Sequence, residues 1–436
     1  MRPFILLCFL CAMGLMACQA DTTAPDKTPA TPPVTDRTPA GESDAAKTIK
    51  TLSNDVVFYT RRGEKQPNAS NNPLSVANAH LKLAALTGDV THYVKAQEAI
   101  DKASKMAGPE SFAPLFTRAS WAFAVHQVDD ADKDLERLLT KRFVDKVEKN
   151  TVLGMRSDIK YHKGQMEEAL SGYQSSIEQR KTSQNVSRLG WYHLQTGQPD
   201  LARKAYDEVI ALARQFNVPQ QHAWGLLMRG IVDLETGKLD EALRYFKQAD
   251  ETFSGWYLIQ EHIAEVYAST GKLKEAEGLY LKVLDQAPKG EFMDALADVY
   301  EAMGRKGDAS AWRDKAKVAY ERDLKVLPSS AYGHALDHYL TQDKDRALEL
   351  AQANHDLRPG MEAKLKLAQA HMLHSQADEA EALIEAIMAS PYRTSESLAT
   401  ASKFYAKRGA SARASQYEQQ ARALNPDAME DVDWLP

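Results

Sequence analysis

Four histidines give this chain its best case for chemistry. His334 and His338 stand four residues apart, and His371 and His374 follow three apart. Pairs at these spacings share one face of a helix, and two imidazoles so placed can ligate zinc, with Asp337 beside them as a further donor. The glutamate that would complete a metalloprotease helix is missing, because Ala335 follows His334. No Gly-rich phosphate loop and no G-x-S-x-G nucleophile turn occur either. The acidic pair Glu167 and Glu168, and Glu379, sit where helices begin, so they read as charges favoured by a helix N-terminus before they read as an acid/base pair. Trp191, Trp224, Trp256 and Trp312 fall at helical spacing and read as packing or groove lining. The sequence thus assigns no catalytic residue and calls for no cofactor.

The elements that must carry these residues are repeats. Leu226, Gly230, Gly237, Ala242, Phe246 and Ala249 are answered 34 positions on by Gln260, Ala264, Gly271, Ala276, Tyr280 and Val283. Each copy is two short helical patterns broken at a glycine, in ETGKLDEA and STGKLKEA, where a left-handed backbone is cheap for Gly alone. The small residue of the second helix can be followed through the chain as Ala96, Ala131, Ala169, Ala202, Ala242, Ala276, Ala309, Ala347, Ala380 and Ala414. The glycine recurs as Gly88, Gly164, Gly197, Gly237, Gly271, Gly304 and Gly409. A small side chain at the crossing lets two helices approach to about 8–10 Å, while an aromatic four residues on fills the space toward the next repeat. The first copy shows extra residues between its helices, around Val90 to Lys95.

This period, with Ala276, Tyr280 and a closing Pro288, resembles the tetratricopeptide (TPR) repeat. The resemblance implies an all-α fold, a right-handed solenoid of about ten helix-turn-helix repeats over residues 74–427. In that register His338 and His371 take the place of a first-helix tyrosine, which makes them packed, hydrogen-bonded residues before they are ligands. The resemblance also implies a concave groove lined by chosen positions of the first helices. Carried onto this chain, those positions give an apolar zone of Trp191, Leu194, Trp224, Leu227, Ile231 and Leu234. An acidic zone follows, of Glu261, Glu265, Glu291, Asp294, Asp298 and Glu301. A second apolar zone consists of Tyr332, Leu336, Tyr339, Leu365 and Met372. Like charges on one wall would steer a basic or amphipathic partner, with apolar anchors on either side.

The ends of the chain suggest where such a scaffold works. All three cysteines, Cys8, Cys11 and Cys18, lie in the first eighteen residues. Arg2 precedes an apolar run from Phe4 to Met16 that is short for a membrane span and reads as a secretory signal over residues 1–17. Leu15-Met16-Ala17-Cys18 resembles the lipobox of bacterial lipoproteins, which implies acylation of Cys18 and, with Gln19 following it, outer-membrane placement facing the periplasm. Residues 18–46, rich in Thr and Pro, read as a disordered tether, and 47–73 as an N-terminal cap with a short helix over Ile49 to Arg62. Residues 428–436 form an acidic tail that could cap the solenoid or reach a partner. A net charge of −6 on 436 residues makes no case for nucleic acid. The expected function is a non-enzymatic, envelope-anchored adaptor for other envelope proteins or peptides. Its alternatives are a structural spacer between outer membrane and cell wall, or a metal-binding module on the four histidines.

Overall fold

The computed structural model describes residues 41–108, 111–140 and 146–436. Among these residues the chain forms 21 α-helices and no strand. The first, α1 (Asp44–Lys65), stands outside the repeats, and the other twenty pair into ten hairpins. The first five are α2 (Asn71–Thr87) with α3 (Thr91–Ala107), α4 (Phe112–Ala124) with α5 (Val128–Leu139), α6 (Lys146–His162) with α7 (Met166–Gln179), α8 (Ser183–Gln195) with α9 (Pro199–Gln215), and α10 (Pro219–Leu234) with α11 (Leu239–Thr252). The second five are α12 (Tyr257–Ser269) with α13 (Leu273–Gln286), α14 (Gly290–Ala302) with α15 (Lys306–Val326), α16 (Pro328–Gln342) with α17 (Lys344–Leu357), α18 (Met361–Leu373) with α19 (Ala377–Ala389), and α20 (Ser395–Lys407) with α21 (Ser411–Leu424). The all-α repeat solenoid expected from the sequence is the fold observed.

Each hairpin is built as the sequence pattern demands. The ten aligned alanines are all buried, between 0% and 7% exposed, so the second helix of every repeat meets its neighbour at a small side chain. Helix starts use local caps: the Thr182 hydroxyl accepts from the Asn185 N–H, and Thr394 and Ser397 form a reciprocal capping box on α20. Two hairpins without the recurring glycine reach the same turn by other means. His126 and Ser375 take the left-handed conformation there, at φ 64° and 56°. The first hairpin contains no insertion. Its turn is Gly88 to Val90, and the apparent extra residues are the opening of α3.

The ends differ from the sequence reading in extent. Helix α1 begins at Asp44, inside the stretch assigned to the tether, and continues past Arg62 to Lys65. The signal segment, Cys18 and most of the tether lie outside the described residues. At the other end Ala428, Val432 and Leu435 are buried against α20 and α21, so the acidic tail folds back as a cap.

The repeats wind so tightly that the last four stack on the first four. Contacts across the stack join the turn within one repeat to the start of the repeat six places later. The Gly88 turn lies against Lys289, close enough that an added Cβ would meet the lysine Cδ at 2.8 Å. His126 Nδ1 lies 3.3 Å from the Ser329 carbonyl oxygen. The carbonyl of His162 abuts Gly360, and the Arg393 N–H donates to the Gln195 carbonyl at 2.9 Å. The series is closed by the caps: the Ala45 N–H donates to the Ser254 carbonyl at 3.1 Å, and Gly237 faces Asn425. These contacts recur along the line where the two superhelical turns meet.

Candidate functional site

This stacking decides what becomes of the groove residues. Of the seventeen predicted positions, only Glu301 is exposed and only Asp298 and Tyr332 are partly buried. The other fourteen are buried: Trp191, Leu194, Trp224, Leu227, Ile231, Leu234, Glu261, Glu265, Glu291, Asp294, Leu336, Tyr339, Leu365 and Met372. The first helices turn these side chains toward the interior of the described chain. Most of the three predicted zones thus lie inside the described chain, with Asp298, Glu301 and Tyr332 reaching toward its surface.

Five of the six acids of the acidic zone have a basic partner. Glu291 accepts an ion pair from Lys289 at 2.9 Å and has His334 at 3.6 Å. Asp294 lies 3.0 Å from His338, Glu261 pairs with His262, and Asp298 and Glu301 share Arg313. Burial pushes the Glu261 carboxyl up, against the pull of His262. Burial would also push Glu291 up, but Lys289 and His334 outweigh it and hold that carboxyl below its usual range. Glu261, Glu291 and Asp294, buried and paired in this way, add little to the field felt by a distant basic partner.

The four histidines are likewise dispersed. His338 is held by Asp294, and His334 faces Glu291. His371 Nδ1 meets the Gln376 amide oxygen at 2.7 Å, and His374 Nε2 lies 2.9 Å from the Lys344 carbonyl. Each ring has its own partner, so the set does not converge on a shared point. Among the described residues, three potential metal-binding groups come together only at Glu261, His262 and Glu265. There the His262 Nδ1 is taken up by the Leu258 carbonyl at 2.9 Å and by the Glu261 carboxylate. Its chemistry is that of a buried ion pair.

An open concavity does remain, at the mouth of the first superhelical turn. The N-terminal ends of α4, α6, α8 and α10 surround a cavity of about 570 Å³. Phe112, Phe116, Val147, Phe216, Val218 and Trp224 supply its apolar lining, and Thr182, Ser183 and Gln221 supply polar groups. The Ser183 hydroxyl donates to the Gln221 side chain at 3.0 Å. Asn150 and Asn185, on neighbouring first helices, are bonded to each other at 3.0 Å and to the ends of α7, so they brace the wall. Charged lining is confined to Glu148, Arg180 and Lys181, and Lys181 pairs with Glu208 outside. The size and the apolar lining with few polar groups suit a bound side chain or short segment.

Trp224 alone among the predicted residues lines this mouth. Phe112 and Phe116 escaped the sequence reading because the register of the early repeats is irregular. Phe216 escaped because it ends a second helix: α9 runs longer than α11, and its last turn brings Phe216, 53% exposed, over the opening. The signal that could have found it is an aromatic beyond the usual end of a second helix.

Two overlapping stretches, residues 187–255 and 227–291, match the family model described as tetratricopeptide repeat. Among solved structures, that of MamA is 19% identical, covering 39% of this chain and 96% of that one at a TM-score of 0.33. A tetratricopeptide repeat protein from Parabacteroides merdae is 16% identical, covering 57% and 98% at a TM-score of 0.35. A thermophilic TPR protein in Thermus thermophilus is 19% identical, covering 47% and 98% at a TM-score of 0.35. No curated protein matches the chain.

Proposed function

This chain is a tetratricopeptide-repeat protein, and from that premise we propose that it is a non-enzymatic adaptor held at a bacterial envelope by an acylated Cys18. Repeats of this family are protein–protein interaction scaffolds. The observation that carries the reading is the mouth of the first turn. It is a large, charge-poor, aromatic-lined opening, and Phe216 is held exposed at its rim. The lipobox-like Leu15-Met16-Ala17-Cys18 supports anchoring, and Gln19 after it favours the outer membrane facing the periplasm. The partner is then another envelope protein that inserts an apolar segment.

Photo-crosslinking in cells tests this. A photoreactive residue at Phe216 should trap a small set of envelope proteins, whereas one at Val318, 71% exposed on α15, should not. Equal capture from both positions, or none from Phe216, would leave a spacer in place of an adaptor. Anchoring is tested separately: Cys18→Ser should release the chain from the membrane fraction, and unchanged sedimentation refutes the lipid anchor.

A further inference from the structure

The outward face of α1 differs from the rest of this acidic protein. With about 100° of turn per residue, Lys47, Lys50, Val57, Phe58, Arg61 and Lys65 fall within one arc of roughly 100°. All six are exposed, and the apolar pair is large: Val57 is 49% and Phe58 57% accessible. Ala45, Ile49 and Leu52, on the opposite side, turn toward the core. The helix thus has two faces of different kinds, one covered by the repeats and one uncovered.

The cations on the open face are not consumed by neighbours. Lys47 meets Asp44 only at 3.6 Å, and that carboxylate accepts the Ser254 hydroxyl at 2.8 Å. Lys50 meets Glu42 at 3.9 Å, with both side chains largely in water. Among the described residues Arg61 and Lys65 form no ion pair. Glu64 is the one carboxylate at the edge of the arc.

We infer that this face lies on the surface of an anionic lipid bilayer, with the four cations at the headgroup phosphates and Phe58 and Val57 entering the interfacial layer. An acidic protein surface or a nucleic acid would match the cations, but it would leave two exposed apolar side chains without a role. Interfacial helices combine both features on one face. Position agrees with the assignment, which here rests on the proposed lipid anchor. Cys18 lies 26 residues before the start of α1 in the sequence, so an anchor there limits how far this face can travel from the bilayer. An acylated Cys18 would hold this face within reach of the bilayer continuously, so that even weak contact is populated. The anchor and α1 then form two signals, and the pair fixes orientation where one tether would leave the coil free to turn.

The test reads the position of α1 without acylation. The full chain carrying Cys8→Ser, Cys11→Ser and Cys18→Ser retains no thiol, and an environment-sensitive fluorophore is placed on it through Phe58→Cys or, as a control, Val318→Cys. With vesicles of about 30% phosphatidylglycerol in phosphatidylcholine, the position-58 probe should shift to the blue and be quenched by brominated lipid. It should stay aqueous on pure phosphatidylcholine, and the position-318 probe should stay aqueous on both. Lys47→Glu, Lys50→Glu and Arg61→Glu together should weaken the vesicle response at least about tenfold, as should salt near 0.5 M. Circular dichroism identical to that of the parent shows that the triple variant is folded. A position-58 probe that remains in water on anionic vesicles, or that responds equally in the triple variant, overturns the inference. So does a response to polyglutamate with none to vesicles, which would assign the face to an acidic protein. Failure of the anchor itself is seen elsewhere, as the absence of an acyl mass on Cys18 in protein taken from bacterial membranes.

Discussion

Arg188 and Asp158 lie between repeats three and four with side chains 0% and 2% exposed. The Arg188 Nε donates to both Asp158 oxygens, at 3.0 and 2.8 Å, and its Nη1 donates to Asn185 at 2.9 Å. Gly154 leaves the space for this guanidinium, since an added Cβ would come within 2.8 Å of it. Arg188→Ala would strand a buried carboxylate and should cost about 3–5 kcal/mol in denaturant unfolding. Arg188→Met combined with Asp158→Leu should recover most of that loss; a double variant no better than the single one refutes the pairing argument. His162 shows the other kind of buried ionisable group. Burial first, and then the nearby Arg358, push its imidazole down to about 3, so it is neutral in the fold. The unfolded chain takes up this proton near pH 6.5, whereas the fold resists it, so the fold loses stability as pH falls from 6.5 toward 3. His162→Phe should flatten that acid limb by on the order of 2 kcal/mol. An unaltered pH profile of unfolding would show that His162 does not carry it. None of these pairings could be read from the sequence, because the partners stand one or more repeats apart.

At the scale of the helix hairpin the sequence was far more legible. A second-helix alanine and an aromatic four residues on identify the crossing, and the structure shows where each goes. In the fifth repeat Phe246 packs directly over Gly230 of the first helix, where an added Cβ would lie 2.5 Å from its ring. Gly230→Val should therefore destabilise by about 1–3 kcal/mol or more, and Ala276→Trp, at a fully buried crossing, by a similar amount. Melting temperatures equal to the parent's would break the assigned register. The turns were legible only in part. Where glycine stands the left-handed residue could be placed, but the same conformation at His126 and Ser375 is imposed by the packing of the hairpin around them. Phe216, at the mouth, belongs to the unread part because it stands beyond the usual end of a second helix, on the longer α9.

The whole molecule is governed by the six-repeat offset. Gly360 marks one contact of the stack, where an added Cβ would sit 2.8 Å from the His162 carbonyl oxygen. Gly360→Leu should push the two superhelical turns apart while leaving each hairpin intact. Solution scattering should show a larger radius of gyration with unchanged helical circular dichroism, and no increase would count against the stack as a tight contact. Separation of the turns would also expose the buried acids of α12 and α14 to solvent. The sequence by itself determined the hairpin, its period, its number of copies and the inward direction of the first helices, because these depend on residues within one repeat and its neighbour. It also carried the charged and apolar stripe of α1, legible as a pattern but without a sign of which face is covered. Only the tertiary structure decided which inward residues remain open to a partner. That depends on the small rotation between successive repeats, which adds up over the coil until the second turn meets the first. No single repeat encodes the sum, so Glu261, Glu291 and Asp294, written in the sequence like part of a charged wall, end buried and paired.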